Sequence, residues 1–484
     1  GKLVLLWDDN RISIDGSTEL AVSDDQLARF RACGWDVQAV DGHQPGELQG
    51  ALARTRATAT PSFIACRTTI AQGAPSKAGT AAAHGAPLGA KEIASARAAL
   101  GWHAAPFEIP PEIAAAWRAV GERGAVPRRR WSEALAKLDA VARAEFERVT
   151  AGRLPEGWQQ AVLAAKRAFV EQKPKVATRQ ASKLVIDHLA AAIPELIGGS
   201  ADLTGSNATL GRAMAPIARG KFAGRYIHYG VREHAMVGAM NGMALHKGMI
   251  PYGGSFLIFT DYCRPAIRLA AMMRQRVILV MTHDSIGLGE DGPTHQPVEQ
   301  LAALRAIPNL LVFRPADGVE TAECWALALA EEQAPAVLSL TRQSVAPVRL
   351  VHSEENLSAK GAYVLAPAEG KERVTLIATG SEVEIALAAR ATLAADGIAA
   401  AVVSMPCWEL FARAPAAYRE EILAPGTLRI AIEAAGSFGW ERHLGPDGIF
   451  IGMRGFGASA PSGDLYKHFG ITAEAVVAAA KARL

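Results

Sequence analysis

The sequence predicts an α/β protein with three consecutive doubly wound α/β domains and mainly parallel sheets, the first domain being incomplete. Short apolar runs alternate with amphipathic helical stretches along the chain, which is the rhythm of strand–helix–strand units. The length of 484 residues also suits three domains of about 100–200 residues each. We place the domains at residues 1–172, 173–350 and 360–484.

The first domain is predicted from two buried strands, residues 2–7 and 62–70, with a helix around residues 24–34 between them. The Gly- and Pro-rich segment 72–89 reads as a long loop, and loops of that length in a compact domain are usually functional or disordered. Residues 90–170 read as a charged helical linker. The chain opens directly on a strand and without Met, so we expect that this domain starts partway through.

The second and third domains are predicted from further apolar runs with the same rhythm. These strands are residues 251–254, 276–282, 310–313 and 336–340 in the second domain, and 374–378, 400–404 and 428–432 in the third.

Composition excludes several classes of function. A net charge of +3 and only one short basic run, Arg128–Arg130, argue against a nucleic-acid partner. The five cysteines lie far apart without CxxC spacing, which favours a reducing compartment over a disulfide framework or a zinc site. No apolar run reaches the ~20 residues that a membrane span needs. We therefore predict a cytoplasmic protein with no membrane partner.

The segment from His283 to Pro297 carries the strongest chemical signal. It follows a predicted strand, so it lies where parallel strands deliver their ligand-binding loops. Its glycines allow the backbone to approach a ligand closely, and its histidines and acids suit proton transfer and hydroxyl recognition.

Two other segments allow more than one interpretation. Glu233 lies near the start of a predicted helix, where it is either a capping residue stabilised by the helix dipole or a protonated carboxyl that bonds a ring nitrogen. Phe256, Phe259 and Tyr262 are spaced by three, which predicts one aromatic face of a helix. Such a face either fills the core or stacks on a flat heteroaromatic ring.

Taken together, Tyr229–Met236 and His283–Pro297 closely resemble the corresponding segments of transketolases, and the resemblance runs along essentially the whole chain. It implies thiamine diphosphate as cofactor and transfer of two-carbon ketol units between sugar phosphates. Phe256, Phe259 and Tyr262 would clasp the aminopyrimidine, and Glu233 would promote its imino tautomer. The resemblance also implies a homodimer with active sites at the interface.

The resemblance assigns the remaining site residues by position. His295, His84 and Glu233 match catalytic residues, and His84 also lies near the cofactor and the substrate carbonyl. The substrate-binding positions are matched by His84, Arg179, Ser206, His283, Asp291, His295 and Arg342. Asn10 and the carbonyl of Ile12 match two ligands of a Mg²⁺ ion, for which Ca²⁺ or Mn²⁺ could substitute. The Gly-Asp-Gly half of that motif, expected ~30 residues upstream, has no counterpart in the sequence.

Three alternatives stay open from the sequence. The chain could belong to a related thiamine-diphosphate enzyme, such as 1-deoxyxylulose-5-phosphate synthase or dihydroxyacetone synthase. It could be one part of a split enzyme, or a non-catalytic remnant. Because part of the metal motif is missing, we expect this chain alone to bind the cofactor weakly and to be inactive.

Overall fold

The computed structural model describes residues 2–484 and divides the chain into two compact units, one ending at Leu135 and one running from Ala136 to Leu484. The first unit contains one small parallel sheet and the second contains two larger sheets. These mainly parallel sheets confirm the predicted multi-domain α/β fold. The predicted domain boundaries at residues 172 and 350–360 stay predictions.

The first unit begins with strands and ends with exposed helices. Its elements are β1 (Val4–Asp9), β2 (Ile12–Ser13), β3 (Gly16–Ser17), α1 (Gln26–Ala32), β4 (Asp36–Asp41), α2 (Pro45–Thr55), β5 (Ser62–Arg67), α3 (Ala90–Ala99), α4 (Pro111–Arg123) and α5 (Ala125–Ala136). The parallel sheet has the order β1-β5-β4, and β2 pairs with β3 as a short antiparallel hairpin. The two strands and the helix predicted here are confirmed, whereas β4 was missed.

Strand β1 forms one edge of this sheet and exposes apolar side chains on both of its faces, because consecutive strand residues point to opposite faces. Leu5 and Leu6 are 41% and 51% exposed, although both are large hydrophobic residues. The buried core of the unit is correspondingly small and centres on Val40, Ala51 and Ile64. An exposed apolar edge strand of this kind is an aggregation liability.

The second unit opens with a six-stranded parallel sheet that has helices on both faces. Its elements are α6 (Ala140–Thr150), α7 (Gln159–Gln172), α8 (Thr178–Ala192), β6 (Leu196–Ser200), α9 (Thr204–Asn207), β7 (Tyr226–His228), α10 (Glu233–His246), β8 (Ile250–Phe256), α11 (Thr260–Met272), β9 (Ile278–Thr282), α12 (Gln300–Arg305), β10 (Leu311–Phe313), α13 (Gly318–Ala330) and β11 (Ala336–Leu340). The strand order is β10-β11-β9-β8-β6-β7. Its core strands are buried on both faces, as expected for parallel sheets.

The third sheet completes the second unit. Its elements are β12 (Tyr363–Ala366), β13 (Val374–Ala378), α14 (Glu382–Ala395), β14 (Ala400–Ser404), α15 (Trp408–Arg413), α16 (Ala416–Leu423), β15 (Leu428–Gly436), α17 (Glu441–Leu444), β16 (Ile449–Met453), α18 (Ser462–His468) and α19 (Ala473–Arg483). The order is β12-β14-β13-β15-β16, in which only β12 runs antiparallel to its neighbour. Among the described residues, no helix is both long and apolar enough to cross a bilayer.

Strand β6 shows why some strands escaped the sequence reading. It ends in Gly198-Gly199-Ser200, which resembles a turn rather than a buried strand. A Cβ at Gly198 would lie 2.3 Å from the Tyr252 ring, so the glycine makes room for an aromatic side chain of the next strand. The glycines therefore reflect close packing inside a sheet.

Candidate active site

His283 directly follows the carboxyl end of β9, near the centre of the second sheet and at the edge where parallel sheets bind ligands. Strand β9 is buried throughout, and His283 follows it directly in the left-handed conformation, with φ of +62°. A non-glycine residue in this conformation is uncommon and is maintained only where its surroundings require it. The prediction that the segment after residue 282 is a strand-end loop is confirmed.

A chain of hydrogen bonds fixes the orientation of the His283 ring. Ser200 Oγ donates to the carbonyl of Gly254 (3.2 Å), and Asn207 Nδ2 donates to Ser200 Oγ (3.3 Å). Thr282 Oγ1 donates to Asn207 Oδ1 (2.8 Å) and lies 2.8 Å from His283 Nδ1. Since the single hydroxyl proton of Thr282 is already used, Nδ1 must donate to Thr282. His283 therefore carries its proton on Nδ1 and leaves Nε2 as an acceptor.

Burial, the positive charges of Arg179 and Arg342 and the ring of His295 together lower the pKa of His283 to about 3. The imidazole is therefore neutral over the physiological range, which agrees with the tautomer set by Thr282. This histidine lies beside two guanidinium groups without being charged itself.

The aromatic residues gather at the same edge, but not on one helix face as predicted. Phe256 is the last residue of β8, Phe259 lies in a 3₁₀ turn, and Tyr262 lies in the first turn of α11. The chain turns sharply from strand to helix between them, so a spacing of three did not mean one helical face. The rings nevertheless meet: Phe256 and Phe259 stack with centroids 5.6 Å apart and 12° between planes.

Both histidines of the loop contact these rings. His283 stacks on Phe256 with a centroid distance of 3.7 Å. His295 lies 5.7 Å from the centroid of Phe259, edge to face. Phe256, Phe259 and Tyr262 thus form an aromatic row. Tyr262 lies at its outer end, 5.8 Å from Phe259, and is 66% exposed.

Glu233 begins α10, as predicted, and its side chain is buried. Ser255 Oγ, from the end of β8, lies 3.5 Å from Glu233 Oε1 and is the carboxyl's one hydrogen-bond partner among the described residues. Burial and the charges of Glu233 and Asp261 raise the pKa of Cys263 to about 12, so that thiol stays protonated. A buried carboxyl with this little internal bonding has oxygen atoms available to a ligand.

Arg179 and Arg342 form a positive pair next to His283. Burial and the nearby charge of Arg342 lower the pKa of Arg179 from its usual value. Arg179 Nη1 donates to the carbonyl of Ser206 (2.6 Å), and Arg342 Nη1 donates to the carbonyl of Leu288 (3.0 Å). The buried Nε of Arg179 has no partner in residues 2–484. Arg179 thus contacts the backbone of Ser206, which the resemblance assigns to the same substrate-binding set.

The loop from His283 to Pro297 packs tightly at its base and is open at its tip. Gln296 Nε2 donates to the carbonyls of Gly289 (2.9 Å) and Ala458 (2.8 Å), which anchors the loop. His295 is half-buried, whereas Asp291 is exposed at the tip. The structure therefore brings His295 to the aromatic row and leaves Asp291 in solvent.

Asn10, Ile12 and His84 lie in the first unit, where they line a cavity of about 820 Å³. Asn10 Oδ1 accepts a bond from the Ile12 amide (2.9 Å) at the start of the β2–β3 hairpin. Asp9 pairs with Arg67 (2.6 Å), and Asp8 bonds the hydroxyl of Thr68. Within residues 2–484, no three His, Cys, Asp or Glu side chains come together as a metal cluster.

Sequence reasoning missed Thr282 and Asn207, which set the His283 tautomer. Thr282 was read only as the end of a strand, and Asn207 only as the neighbour of Ser206. Their role depends on a contact between positions 75 residues apart, which no local pattern records.

A parallel sheet whose carboxyl end carries two arginines, two histidines and stacked aromatic rings defines this chain as an α/β protein with a candidate site for an anion and a flat ring. Three family models match it: the transketolase thiamine diphosphate binding domain at residues 1–155, the transketolase pyrimidine binding domain at 174–347, and the transketolase-like C-terminal domain at 361–472.

Individual relatives are similar to this chain over nearly its whole length. A transketolase from Sinorhizobium medicae is 58% identical over 481 residues, which are 99% of this chain and 69% of the relative. A transketolase structure from Leishmania mexicana is 42% identical, with a TM-score of 0.92 over 99% of this chain and 71% of that one. A Pichia stipitis transketolase in complex with sedoheptulose 7-phosphate is 37% identical, with a TM-score of 0.92 and the same coverage. The chain belongs to the transketolase family.

Proposed function

We propose that the chain transfers a two-carbon ketol unit reversibly from a ketose phosphate, such as xylulose 5-phosphate, to an aldose phosphate. This reaction belongs to the pentose phosphate pathway and the Calvin cycle. One observation carries the proposal: two arginines and two histidines lie beside the aromatic row at one edge of the second sheet. They are Arg179, Arg342, His283 and His295. Relatives solved with sedoheptulose 7-phosphate and xylulose 5-phosphate support this substrate class.

The arginine pair is the anion-binding part of the site. Two adjacent guanidinium groups repel each other, and the buried N–H of Arg179 has no partner in the described structure. A phosphate would remove both costs because it accepts several charge-assisted hydrogen bonds. Ser206 and Asp291 would then contact the sugar phosphate from the rim.

Thiamine diphosphate fits the aromatic part of the site. Phe256 and Phe259 offer nearly parallel rings for stacking, and Glu233 offers a buried carboxyl beside them for a ring nitrogen. When bound, the cofactor supplies the electron sink that carbon–carbon cleavage needs. His295 and His84 would hold or move protons at the substrate hydroxyl and carbonyl groups.

The metal part fits incompletely. Asn10 Oδ1 and the Ile12 carbonyl are oxygen ligands of the kind that Mg²⁺, Ca²⁺ or Mn²⁺ accepts, but an octahedral ion needs about six. The cavity around them is lined by five acidic side chains and only two arginines, so it would repel a diphosphate without a bridging cation. We therefore propose that this chain alone binds thiamine diphosphate weakly. Tight cofactor binding in a calorimetric titration with Mg²⁺ would contradict this.

Glu233 supplies the sharpest test of the cofactor proposal. We expect Glu233→Ala and Glu233→Gln to lower the ketol-transfer rate at least about 100-fold in active enzyme, because both remove the carboxyl. The control Glu332→Gln, on the exposed surface, should keep the parent rate. Near-normal turnover of a folded Glu233→Ala variant would refute the role.

A homodimer is supported by an exposed apolar face on α10 and α11. The two helices pack together, with Asn241 Nδ2 donating to the Ala266 carbonyl (2.9 Å). Their outer side exposes large apolar residues and small ones together, namely Ala235, Gly238, Ala239, Gly242, Leu245, Tyr262, Leu269 and Met272. An exposed apolar face with so little bulk suits close packing against the same face of a second copy. The predicted cytoplasmic location stays a prediction.

A donor-substrate panel separates the proposal from the related thiamine-diphosphate enzymes. In active enzyme, we expect turnover with xylulose 5-phosphate and ribose 5-phosphate at saturating cofactor and metal, whereas this chain alone should turn over little because it binds the cofactor weakly. Activity on pyruvate with glyceraldehyde 3-phosphate, and none on xylulose 5-phosphate, would favour a synthase instead.

A further inference from the structure

A buried cluster of charges lies beneath the His283 loop, outside the site described above. Arg314 follows β10 and is completely buried, as is Asp284, the residue after His283. Arg314 Nε donates to Asp284 Oδ2 (2.9 Å), and Nη1 donates to the Thr379 carbonyl (3.0 Å) and to Glu382. One guanidinium therefore joins the loop after β9 to the loop after β13.

The third sheet holds the other end of this cluster in place. Glu382 accepts bonds from Tyr466 OH (2.7 Å), Ser381 Oγ (2.7 Å) and the Ala434 amide (3.0 Å). Tyr466 OH also lies 3.5 Å from Ser285 Oγ, so α18 contacts the same loop.

Each charge of the cluster depends on the others. Burial raises the pKa of Asp284, while Arg314 opposes that rise. Burial opposes the charge of Arg314 as well, yet Glu382, Asp284 and Glu433 raise its pKa well above the usual value. Removing one partner of such a group leaves an uncompensated buried charge, which is strongly destabilising.

The chain around Arg314 leaves space for the guanidinium and donates hydrogen bonds to the Arg314 carbonyl. Gly380 has a φ of +58°, and a Cβ there would lie 2.8 Å from the guanidinium. The Gly380 amide and Thr379 Oγ1 both donate to the Arg314 carbonyl (3.0 and 3.1 Å). Arg314 is therefore held in place by the segment Thr379–Glu382, for which the sequence predicted no role.

We propose that Arg314 is a positioning residue: anchored on the third sheet, it holds Asp284 and thereby keeps His283 in its left-handed conformation against Phe256. The hydrogen bonds through Thr282 fix the ring from one side, and Arg314 fixes the backbone from the other. The consequence for anion binding rests on the proposed function, whereas the effect on the loop does not.

The first test measures hydrogen exchange of the backbone amides of residues 283–288. Asp284→Asn and Glu382→Gln keep side-chain shape but remove a charge facing Arg314. We expect exchange in this segment to accelerate at least about tenfold in both, with little change elsewhere. The control is Glu323→Gln, because Glu323 is equally buried, with Lys166 (2.8 Å) and Arg349 (3.3 Å) as its charged partners away from the loop. Unchanged exchange of the loop in the folded variants, or equal acceleration in the control, would overturn the proposal.

A second measurement separates this proposal from the proposed function. Inorganic phosphate is titrated calorimetrically into the parent chain and the variants, and we expect the cluster variants to bind at least about tenfold more weakly. If the parent binds no phosphate but the variants loosen the loop, the anion site fails and Arg314 keeps its role. If the parent binds phosphate and every variant matches it, the positioning role fails.

Tyr466→Phe covers the case in which a charge variant does not fold. It keeps the ring and removes only the hydroxyl that bonds Glu382 and Ser285. We expect a smaller acceleration, confined to the same segment. Failure of all three variants to fold, while Glu323→Gln folds, would overturn a local positioning role and assign the cluster to global stability.

Discussion

His283 combines a neutral ring with two neighbouring cations, and this combination has a consequence for ligand binding. In the free chain, burial and Arg179 and Arg342 lower its pKa to about 3. A bound phosphate would offset the arginine charges and favour the imidazolium, so the pKa of His283 must rise on binding. Phosphate binding should therefore be accompanied by proton uptake at His283.

Between pH 5 and 7 we expect the parent to take up more proton per bound phosphate than His283→Asn, whose amide can still donate to Thr282 but cannot titrate. Calorimetric titrations in buffers of different ionisation enthalpy measure the uptake, and the difference between the two chains removes the proton exchange of phosphate itself. Equal proton uptake by the two chains would show that His283 stays neutral beside the anion.

Individual residues show where sequence reasoning succeeded and where it could not. His283, His295 and Glu233 were singled out because their local context is distinctive, and the strand before His283 and the helix at Glu233 lie where the pattern predicts. Arg314, Glu382 and Asn207 were missed because each acts through a partner distant in sequence. Burial of a charge cannot be read from composition, since an arginine after a strand is ordinarily exposed.

At the scale of elements, α10 is the helix whose outer face remains to be accounted for. Gly238 and Gly242 lie one turn apart on that face, and apart from the neighbouring residues and the backbone of the helix itself, no described atom lies within 4 Å of a Cβ added at either. If α10 packs against a second copy, a large side chain there must push the two helices apart.

We expect Gly238→Leu to raise the dimer dissociation constant at least about tenfold. Gly121→Leu is the control, because Gly121 is also an exposed helical glycine with open space around it, in α4. Both substitutions raise helix propensity, so only the dimer should distinguish them. Sedimentation velocity over a concentration series measures the effect; equal association of the two variants would exclude α10 from the interface.

Strands that consist of an almost unbroken run of apolar residues were the elements most easily predicted from the sequence. β9, β11, β13 and β14 are continuous apolar runs and were all confirmed. The aromatic row was placed on one helix because Phe256, Phe259 and Tyr262 have helical spacing, whereas the chain passes from β8 through a 3₁₀ turn into α11. Periodicity over seven residues cannot distinguish a helix from a strand-to-helix turn.

At the scale of the whole molecule, a second buried cluster joins the two sheets of the larger unit. Glu320 of α13 accepts bonds from Tyr363 OH on β12 (2.6 Å), Ser404 Oγ on β14 (2.5 Å) and the Ala316 amide (2.7 Å). Asp317, one turn earlier, accepts the amides of Val348 (3.0 Å) and Arg349 (2.8 Å) from the connecting segment. These carboxyls hold the third sheet's antiparallel edge against the second sheet.

Burial and the charge of Asp317 raise the pKa of Glu320 to about 7. Burial raises the pKa of Asp317 as well, against the amide bonds and Arg349. The folded chain therefore holds the Glu320 proton at a pH where the unfolded chain has released it. The stabilisation is fully present below about pH 4.5 and is lost as pH rises through about 7.

We expect Glu320→Gln to gain stability relative to the parent as pH increases, by up to about 3 kcal/mol between pH 5 and 8. Its amide can donate to Ser404 and Tyr363 while its oxygen accepts from Ala316, which imitates the protonated acid. Glu354→Gln is the control, since Glu354 is exposed, and should differ from the parent by a few tenths of a kcal/mol at either pH. Denaturant unfolding of the three chains at pH 5 and pH 8 measures the differences. A parent–variant gap that does not change with pH would mean that Glu320 is ionised across this range and that its bonds alone hold the sheets together.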